Sequence, residues 1–403
     1  MVANKYAVRT TNMRSSEIRE LLKLLDNPKM ISFAGGLPNP DSFPVEKLKL
    51  VVNHVMEVHS REALQYSTTE GHAKLREVIC GGMKDYYNVP GLDLNNIIIT
   101  NGSQQALNLL SQLFLNPGDN VLTSDPTYLG AILTFRSYQA KIESVPLDDN
   151  GIRVDLLEER LRYLAKQKKL PKFIYLVPTF QNPTGVTIPE NNRRIIYQLI
   201  QKYDLLLIED DPYGLLRFEG KHVPLFKSMD RDDRVIYLGT FSKILAPGFR
   251  VAWMIAAEDI IAKATIAKQA QDLCTNTFGQ YCVFEAIHHN VLFPYIAEVV
   301  KLYKGKRDCM LNFMDRYFPE NVSYTRPQGG MFLWVTLPET YDALEMLKRA
   351  IEKKVAYVAG NPFFPNGGGH HTFRLNFSYV SDNNIKIGIR RLVKVVNTLY
   401  KAA

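Results

Sequence analysis

Cysteine is scarce in this chain. Cys80, Cys274, Cys282 and Cys309 are the only four in 403 residues, and none forms a C-x-x-C pair. Such sparse, irregular spacing excludes a disulfide framework and predicts a reduced, intracellular protein whose thiols serve as small apolar side chains. Long apolar runs are missing too. Nothing approaches the ~20 residues of a spanning helix, and MVANKYAVRTTNMRSSEIRE lacks the apolar stretch of a secretory signal. A cytoplasmic location without membrane contact is therefore expected. The adjacent histidines His288–His289 are a poor chelating pair, because helix neighbours do not share a face. No zinc-type ligand spacing occurs, so no metal is expected. Internal repeats and low-complexity tracts are absent. Acidic residues are outnumbered, 41 against 49 Lys and Arg, for a net charge of +8. The basic residues are scattered, however, and the densest runs, LAKQKKLPK (164–172) and IKIGIRRLVKVVNTLYK (385–401), have the form of helix faces or loop edges. A solvated surface that attracts small anionic metabolites is expected, not a nucleic-acid partner.

What is present is a globular composition, 46% hydrophobic and 22% charged. Short β-branched runs recur: NIIIT (96–100), NVLTSD (120–125), KFIYLVP (172–178), LLLIED (205–210), VIYLGT (235–240) and VAWMIA (251–256). Most are continuously apolar, the pattern of strands buried on both faces of a parallel sheet. Helix-period segments such as QQALNLLSQLFL (104–115) and NRRIIYQLIQKY (192–203) lie between them. The alternation predicts an α/β fold. Only ten residues separate Thr240 from Val251. That is too few for a parallel crossover, so the strand at 251–256 should run antiparallel to its predecessor. A long helical region over 258–316 follows. A second α/β pattern then predicts a strand near 331–336, a helix near 339–353, strands at 355–360 and 372–378, and a final helix. SEIRELLKLLDNP predicts an amphipathic helix ending at Asn27–Pro28. The turn-rich ISFAGGLPNPDSFP (31–44) predicts an arm packed against the rest.

Ligands of open α/β sheets sit outside the carboxyl ends of the strands, and polar residues follow several strands here. NGSQQA (101–106) opens a helix, where backbone N–H groups suit a phosphate; Ser103 acting as a simple N-cap is the plainer alternative. TFQNPTG (179–185) brings Asn182 in what is also an ordinary turn composition. LLLIED runs into DPYG, so Asp210 ends an apolar strand where a carboxylate needs a cation or donor, unless it only makes a turn before Pro212. Tyr213 can reach the same space, whereas Glu209 points to the opposite face and serves packing. GTFSKILAPGFR (239–250) places Lys243 after a buried strand and seven positions before Arg250. Arg374, in the apolar TFRLNFS, calls for an anion such as a carboxylate. Lysine, aspartate, tyrosine, asparagine, a phosphate cup and two arginines together are what pyridoxal 5′-phosphate chemistry requires. In that chemistry Lys243 is the covalent anchor, Asp210 the partner of the pyridine nitrogen, Asn182 and Tyr213 the partners of the phenolate, Arg250 the phosphate clamp and Arg374 the substrate carboxylate clamp.

The ordered motifs SFAGGLP (32–38), QYSTTEGHAKLR (65–76), NGSQQAL (101–107), DPTY (125–128), QNPTG (181–185), EDDPYG (209–214), GTFSKILAPGFRVAW (239–253), RPQGGMF (326–332) and RLNFS (374–378) resemble class I/II aminotransferases of fold type I. SEIRELLK followed by SFAGGLP places the likeness in the 2-aminoadipate/kynurenine/aromatic branch. The resemblance implies that Lys243 is also the catalytic proton carrier. It implies that Ser103, Gln104, Thr240, Ser242 and Arg250 hold the phosphate and that Tyr128 covers the ring. Tyr66 would reach the phosphate of a neighbouring subunit. Asn182 and Gly36 would join Arg374 at the α-carboxylate, and Arg19 would meet an acidic side chain. RVAW at 250–253 departs from the R-x-G-W of many relatives through Ala252.

The fold expected is a large domain with a mostly parallel seven-stranded sheet containing one antiparallel strand, plus a smaller α/β domain. The chain divides into an arm (1–45), a large cofactor-binding domain (46–290) and a small domain (291–403). The expected function is a homodimeric aminotransferase with shared active sites. It moves an amino group between an amino acid (2-aminoadipate, glutamate, aromatic, kynurenine or aliphatic) and a 2-oxo acid, 2-oxoglutarate above all, by a ping-pong mechanism. Two alternatives use the same scaffold: a pyridoxal-dependent β-lyase, and the effector domain of an aminotransferase-like transcription regulator. For the second, the roughly 30 residues before SFAGGLP are fewer than a DNA-binding domain with its linker requires.

Overall fold

The computed structural model describes residues 5–12 and 29–400. The helix expected over SEIRELLKLLDNP, and Arg19 within it, lie outside the described residues. Seven strands build the main sheet: β1 (Ile97–Asn101), β2 (Asn120–Asp125), β3 (Lys141–Asp148), β4 (Phe173–Leu176), β5 (Leu206–Asp210), β6 (Val235–Thr240) and β7 (Val251–Ile255). Their order is β1-β7-β6-β5-β4-β2-β3, and the two-residue strand Gly151–Ile152 adds an eighth at the edge. Strand β7 is antiparallel to both β1 and β6, and β2 to β6 are parallel wherever they pair. The short link to β7 is a turn and a 3-10 helix, Pro247–Phe249, as its length requires.

The continuous apolar runs are explained by burial on both faces. Along β4, Phe173 and Tyr175 join one apolar cluster while Ile174 and Leu176 join the other, the period-two alternation of a strand between two helix layers. Strand β3 has no such run and was not expected from the sequence. Its residues alternate irregularly between exposed and buried, as befits a strand near the sheet edge.

A second, antiparallel sheet is formed by β8 (Ser323–Tyr324), β9 (Phe332–Thr336), β10 (Val358–Ala359) and β11 (Thr372–Asn376), in the order β8-β9-β11-β10. The helices Ala343–Glu352 and Asp382–Tyr400 pack together beside it. The run VAYVAG, expected as one strand, divides. Val355–Ala356 pairs in parallel with Ile31–Ser32, and Val358–Ala359 pairs with β11. Between them the fully buried Tyr357 donates its hydroxyl to Ala343 O.

The arm is seated by the same pairing. Phe33 N donates to Ala356 O and Asn376 N donates to Phe33 O, each at 2.8 Å. The Phe33 ring is fully buried, which stabilises the seat by about 1.5–3 kcal/mol. The backbone of Ala34 to Gly36 is thereby carried to the edge of the main sheet. Among the described residues no helix is long and apolar enough to cross a membrane.

Candidate active site

The C-terminal ends of β1, β2, β4, β5 and β6 lie at one edge, and β7, running the other way, begins there with Arg250 just before it. A cavity of about 350 Å³ opens at this edge. It brings together Gly36, Ser103, Gln104, Tyr128, Asn182, Asp210, Tyr213, Thr240, Ser242, Lys243, Arg250 and Arg374. Tyr66 does not line it and is 78% exposed. Arg19 lies outside the described residues.

Lys243 Nζ donates to Gly36 O at 2.9 Å. Burial, then the guanidinium charges of Arg250 and Arg374, lower its pKa to about 8. A deprotonated, nucleophilic amine is therefore accessible near neutral pH.

Asp210 is 3% exposed. Tyr175, opposite Ile208 on the neighbouring strand, shares the face of Ile208 and Asp210 and donates its hydroxyl to Asp210 Oδ2 at 2.7 Å. Oδ1 is buried without a protein partner. Burial raises the Asp210 pKa to about 7, against which the Tyr175 hydrogen bond works. The turn-forming alternative belongs to the next residue: Asp211 Oδ1 accepts from Gly214 N at 3.0 Å. Glu209, on the other face, accepts from the backbone N–H of Phe226 and Lys227 and lies 3.8 Å from the buried Arg193. It anchors the register that presents Asp210.

The helix Ser103–Phe114 begins after Gly102, and no side chain caps it. Ser103 is thus the first helical residue and not its cap, and its buried Oγ has no partner. The first-turn N–H groups and the helix dipole face the cavity side as an anion seat. Thr240 Oγ1 and Ser242 Oγ are hydrogen-bonded to each other at 2.9 Å. Gly102 has φ +75°, and a Cβ there would lie 2.1 Å from Arg250 Nη2, so this glycine makes room for the arginine. Gln104 is held by Thr134 Oγ1 at 2.5 Å, and the Tyr128 hydroxyl points to Gln104 Oε1 at 3.4 Å. Burial raises the pKa of Tyr128 to about 12 and that of Tyr213 further, so both remain neutral donors.

Arg374 is 1% exposed, and its donors reach Asn182 Oδ1 at 2.7 Å and Ala34 O at 2.8 Å. Its Nε has no partner, and the groups that act on its charge are Tyr213 and Tyr128, not a carboxylate. The Phe332 ring lies 4.3 Å from the guanidinium carbon. Desolvation lowers its pKa to about 10, so it stays charged at neutral pH. Tyr175, Phe332 and Val177 are site residues that sequence reasoning missed. Tyr175 and Val177 sit inside an apolar run, where only a period-two reading alongside Asp210 could have flagged them.

Residues 29–392 match the family model described as aminotransferase class I and II. The chain is 46% identical to aromatic-amino-acid aminotransferase 1 of Thermococcus litoralis, over 98% of this chain and 95% of that one. A Pyrococcus horikoshii kynurenine aminotransferase, solved in complex with PMP and KYN as substrates and KYA as products, superposes with a TM-score of 0.95 at 46% identity, covering 99% and 98% of the two chains. An α-aminoadipate aminotransferase of Thermus thermophilus, complexed with N-(5′-phosphopyridoxyl)-L-leucine, has a TM-score of 0.92 at 37% identity over the whole of both chains.

Proposed function

The chain belongs to the class I and II aminotransferase family and is an enzyme of amino-group transfer, and from that premise we propose that its cavity holds pyridoxal 5′-phosphate on Lys243 and serves two successive half-reactions. In the first an amino acid becomes its 2-oxo acid; in the second 2-oxoglutarate becomes glutamate. The observation that carries this reading is the buried Oδ1 of Asp210, which has no protein donor and stands in the cavity with Lys243. A ring N–H supplies what that oxygen lacks.

When bound, the cofactor supplies an aldehyde for the amine and a ring that withdraws electrons from the substrate Cα. The protein's own groups do the rest. Asp210 Oδ1 would accept the ring N–H and keep that nitrogen protonated. Tyr213 and Asn182, which line the cavity, would hold the phenolate oxygen, and Tyr128 would cover the ring. Ser103, Gln104, Thr240, Ser242, Arg250 and the helix start hold the phosphate. Arg374, with Asn182 and the Gly36 backbone beside it, orients the substrate carboxylate through its uncompensated charge. Lys243 Nζ would take the proton from the substrate Cα, and its depressed pKa suits a general base near neutral pH.

For side-chain choice the same reading assigns Arg19 to acidic substrates, from the likeness of SEIRELLK to the aminoadipate branch. Tyr66, exposed and off the cavity, would serve the site of a second copy, making the enzyme a homodimer with shared sites. Four free cysteines accord with a cytoplasmic protein. The two sheets accord with division into an arm (1–45), a large domain (46–290) and a small domain (291–403).

The test is product pairing. Cofactor-loaded enzyme given a single amino acid and 2-oxoglutarate should form glutamate and the matching 2-oxo acid in equal amounts. With no acceptor, it should turn over once per site and stop. Continuous release of ammonia and oxo acid without acceptor would identify a lyase instead.

A further inference from the structure

Away from the cavity, four side chains from two separate stretches converge. Glu285, on the helix Thr277–His288, is 2% exposed. Among the described residues no lysine or arginine pairs with it, and its neighbours are imidazoles. His59 Nε2 lies 3.1 Å from Oε1, His289 Nε2 lies 3.2 Å from Oε2, and His54 Nε2 lies 3.8 Å from Oε2. His54 is on the helix Val45–Val58, and His59 caps that helix. His289 follows Glu285 by one helical turn. All three rings thus turn the same nitrogen toward one carboxylate.

Hydrogen bonds explain only part of this. His54 stands beyond hydrogen-bond reach, and the buried Oε2 has no hydrogen-bond partner. Among the described residues no lysine or arginine supplies this buried carboxylate with a compensating charge. A divalent ion accounts for all three features. Bonds of about 2.0–2.2 Å at tetrahedral angles place ligand atoms about 3.3–3.6 Å apart. About Oε2, His289 Nε2 at 3.2 Å and His54 Nε2 at 3.8 Å lie on either side of that range, and His59 Nε2 lies 3.1 Å from the other oxygen, Oε1. The nitrogen and oxygen atoms offered by His54, His59 and Glu285 all lie within 4.8 Å of one another. Imidazole with carboxylate suits zinc and its late first-row neighbours.

We propose that His54, His59, Glu285 and His289 form a binding site for a divalent transition metal of the zinc class, which ties the helix Val45–Val58 to the helix Thr277–His288. The side chains of His54 and His289 are 37% and 46% exposed, which gives the ion a way in. None of the four lines the catalytic cavity, so the site is independent of amino transfer. It has no sequence signature because the ligands come from distant segments, and His289 chelates with Glu285 and not with its neighbour His288.

The experiment uses chelator-treated, cofactor-loaded enzyme titrated with zinc chloride in equilibrium dialysis. One zinc per chain is expected, together with a higher melting temperature than the chelated protein. His54→Gln and His289→Gln, both at half-exposed positions, should each weaken binding at least about 100-fold, since even a group behind a ligand is worth 10–100-fold. Their metal-free melting temperatures should match the parent. No stoichiometric zinc, or unchanged affinity in both variants, overturns the site. Should a variant fail to fold, cobalt substitution of the unaltered enzyme decides. Tetrahedral bands without thiolate charge transfer support the site. Thiolate charge transfer, or no bands, refutes it.

Discussion

The Tyr175 hydroxyl donates to Asp210 Oδ2 at 2.7 Å, leaving Oδ1 as the buried oxygen with no protein donor. The pairing divides the carboxylate between two tasks. One oxygen is held in place by a neighbouring strand, and on the proposed reading the other accepts from the cofactor's ring nitrogen. Tyr175→Phe removes the hydrogen bond that works against the raised Asp210 pKa. The expected result is a loss of about tenfold in kcat/KM, equivalent to about 1.4 kcal/mol. The acid limb of the pH profile should also move upward. A rate loss with an unmoved pH profile would assign Tyr175 to packing alone.

Asp210 itself separates activity from stability. Its ordinary pKa of 3.8 becomes about 7 in the folded, cofactor-free protein because burial disfavours the charge. A raised folded-state pKa gives a contribution that is full below about pH 4 and lost as pH rises toward 7. The cofactor-free protein should therefore lose stability across that window. Glu209, also raised to about 7 by burial, contributes in the same direction. Asp210→Asn should reduce the slope and leave the cofactor-free variant more stable than its parent at pH 8, by denaturant melts. Its turnover should fall about 10³-fold or more for want of a charged partner to the ring nitrogen.

Cofactor capture should report the Lys243 amine. With a pKa near 8, the rate of aldehyde uptake by the cofactor-free enzyme should rise with pH and level off above about that value. Because Arg250 helps to lower this pKa, Arg250→Gln should shift the midpoint to higher pH, besides weakening phosphate binding. Stopped-flow absorbance across pH 6–10 reads both.

On the proposed reading, Arg374 grips the α-carboxylate that all donors share. Arg374→Lys keeps the charge but loses the fork that reaches Asn182 and Ala34. The expected loss is about 1.5–3 kcal/mol, or roughly 10–150-fold in kcat/KM. It should be similar for acidic, aromatic and aliphatic amino acids. A loss confined to one class would make Arg374 a reader of side chains.

Much of the fold was legible because two-sided burial writes itself as continuous apolar runs, which located six of the seven main strands. Strand β3 escaped because its mixed exposure leaves no such run. VAYVAG read as one strand because nothing local reveals that two sheets share it. Within the site, residues at strand ends stood out because polar groups beside apolar runs demand partners. Tyr175 did not, since its hydroxyl serves Asp210 from within an apolar strand. Phe332 could be recognised only once the second sheet brought it against Arg374. The histidines around Glu285 carry no local pattern at all, because tertiary packing alone assembles them.

The central claim is that Lys243 holds the cofactor at the meeting point of these strand ends. Borohydride reduction of the cofactor-loaded enzyme, followed by peptide mapping, tests it directly. The account predicts one pyridoxyl label per chain, on Lys243 in the peptide containing GTFSK. A label on another lysine, or no stable label in an enzyme that still transfers amino groups, would contradict it.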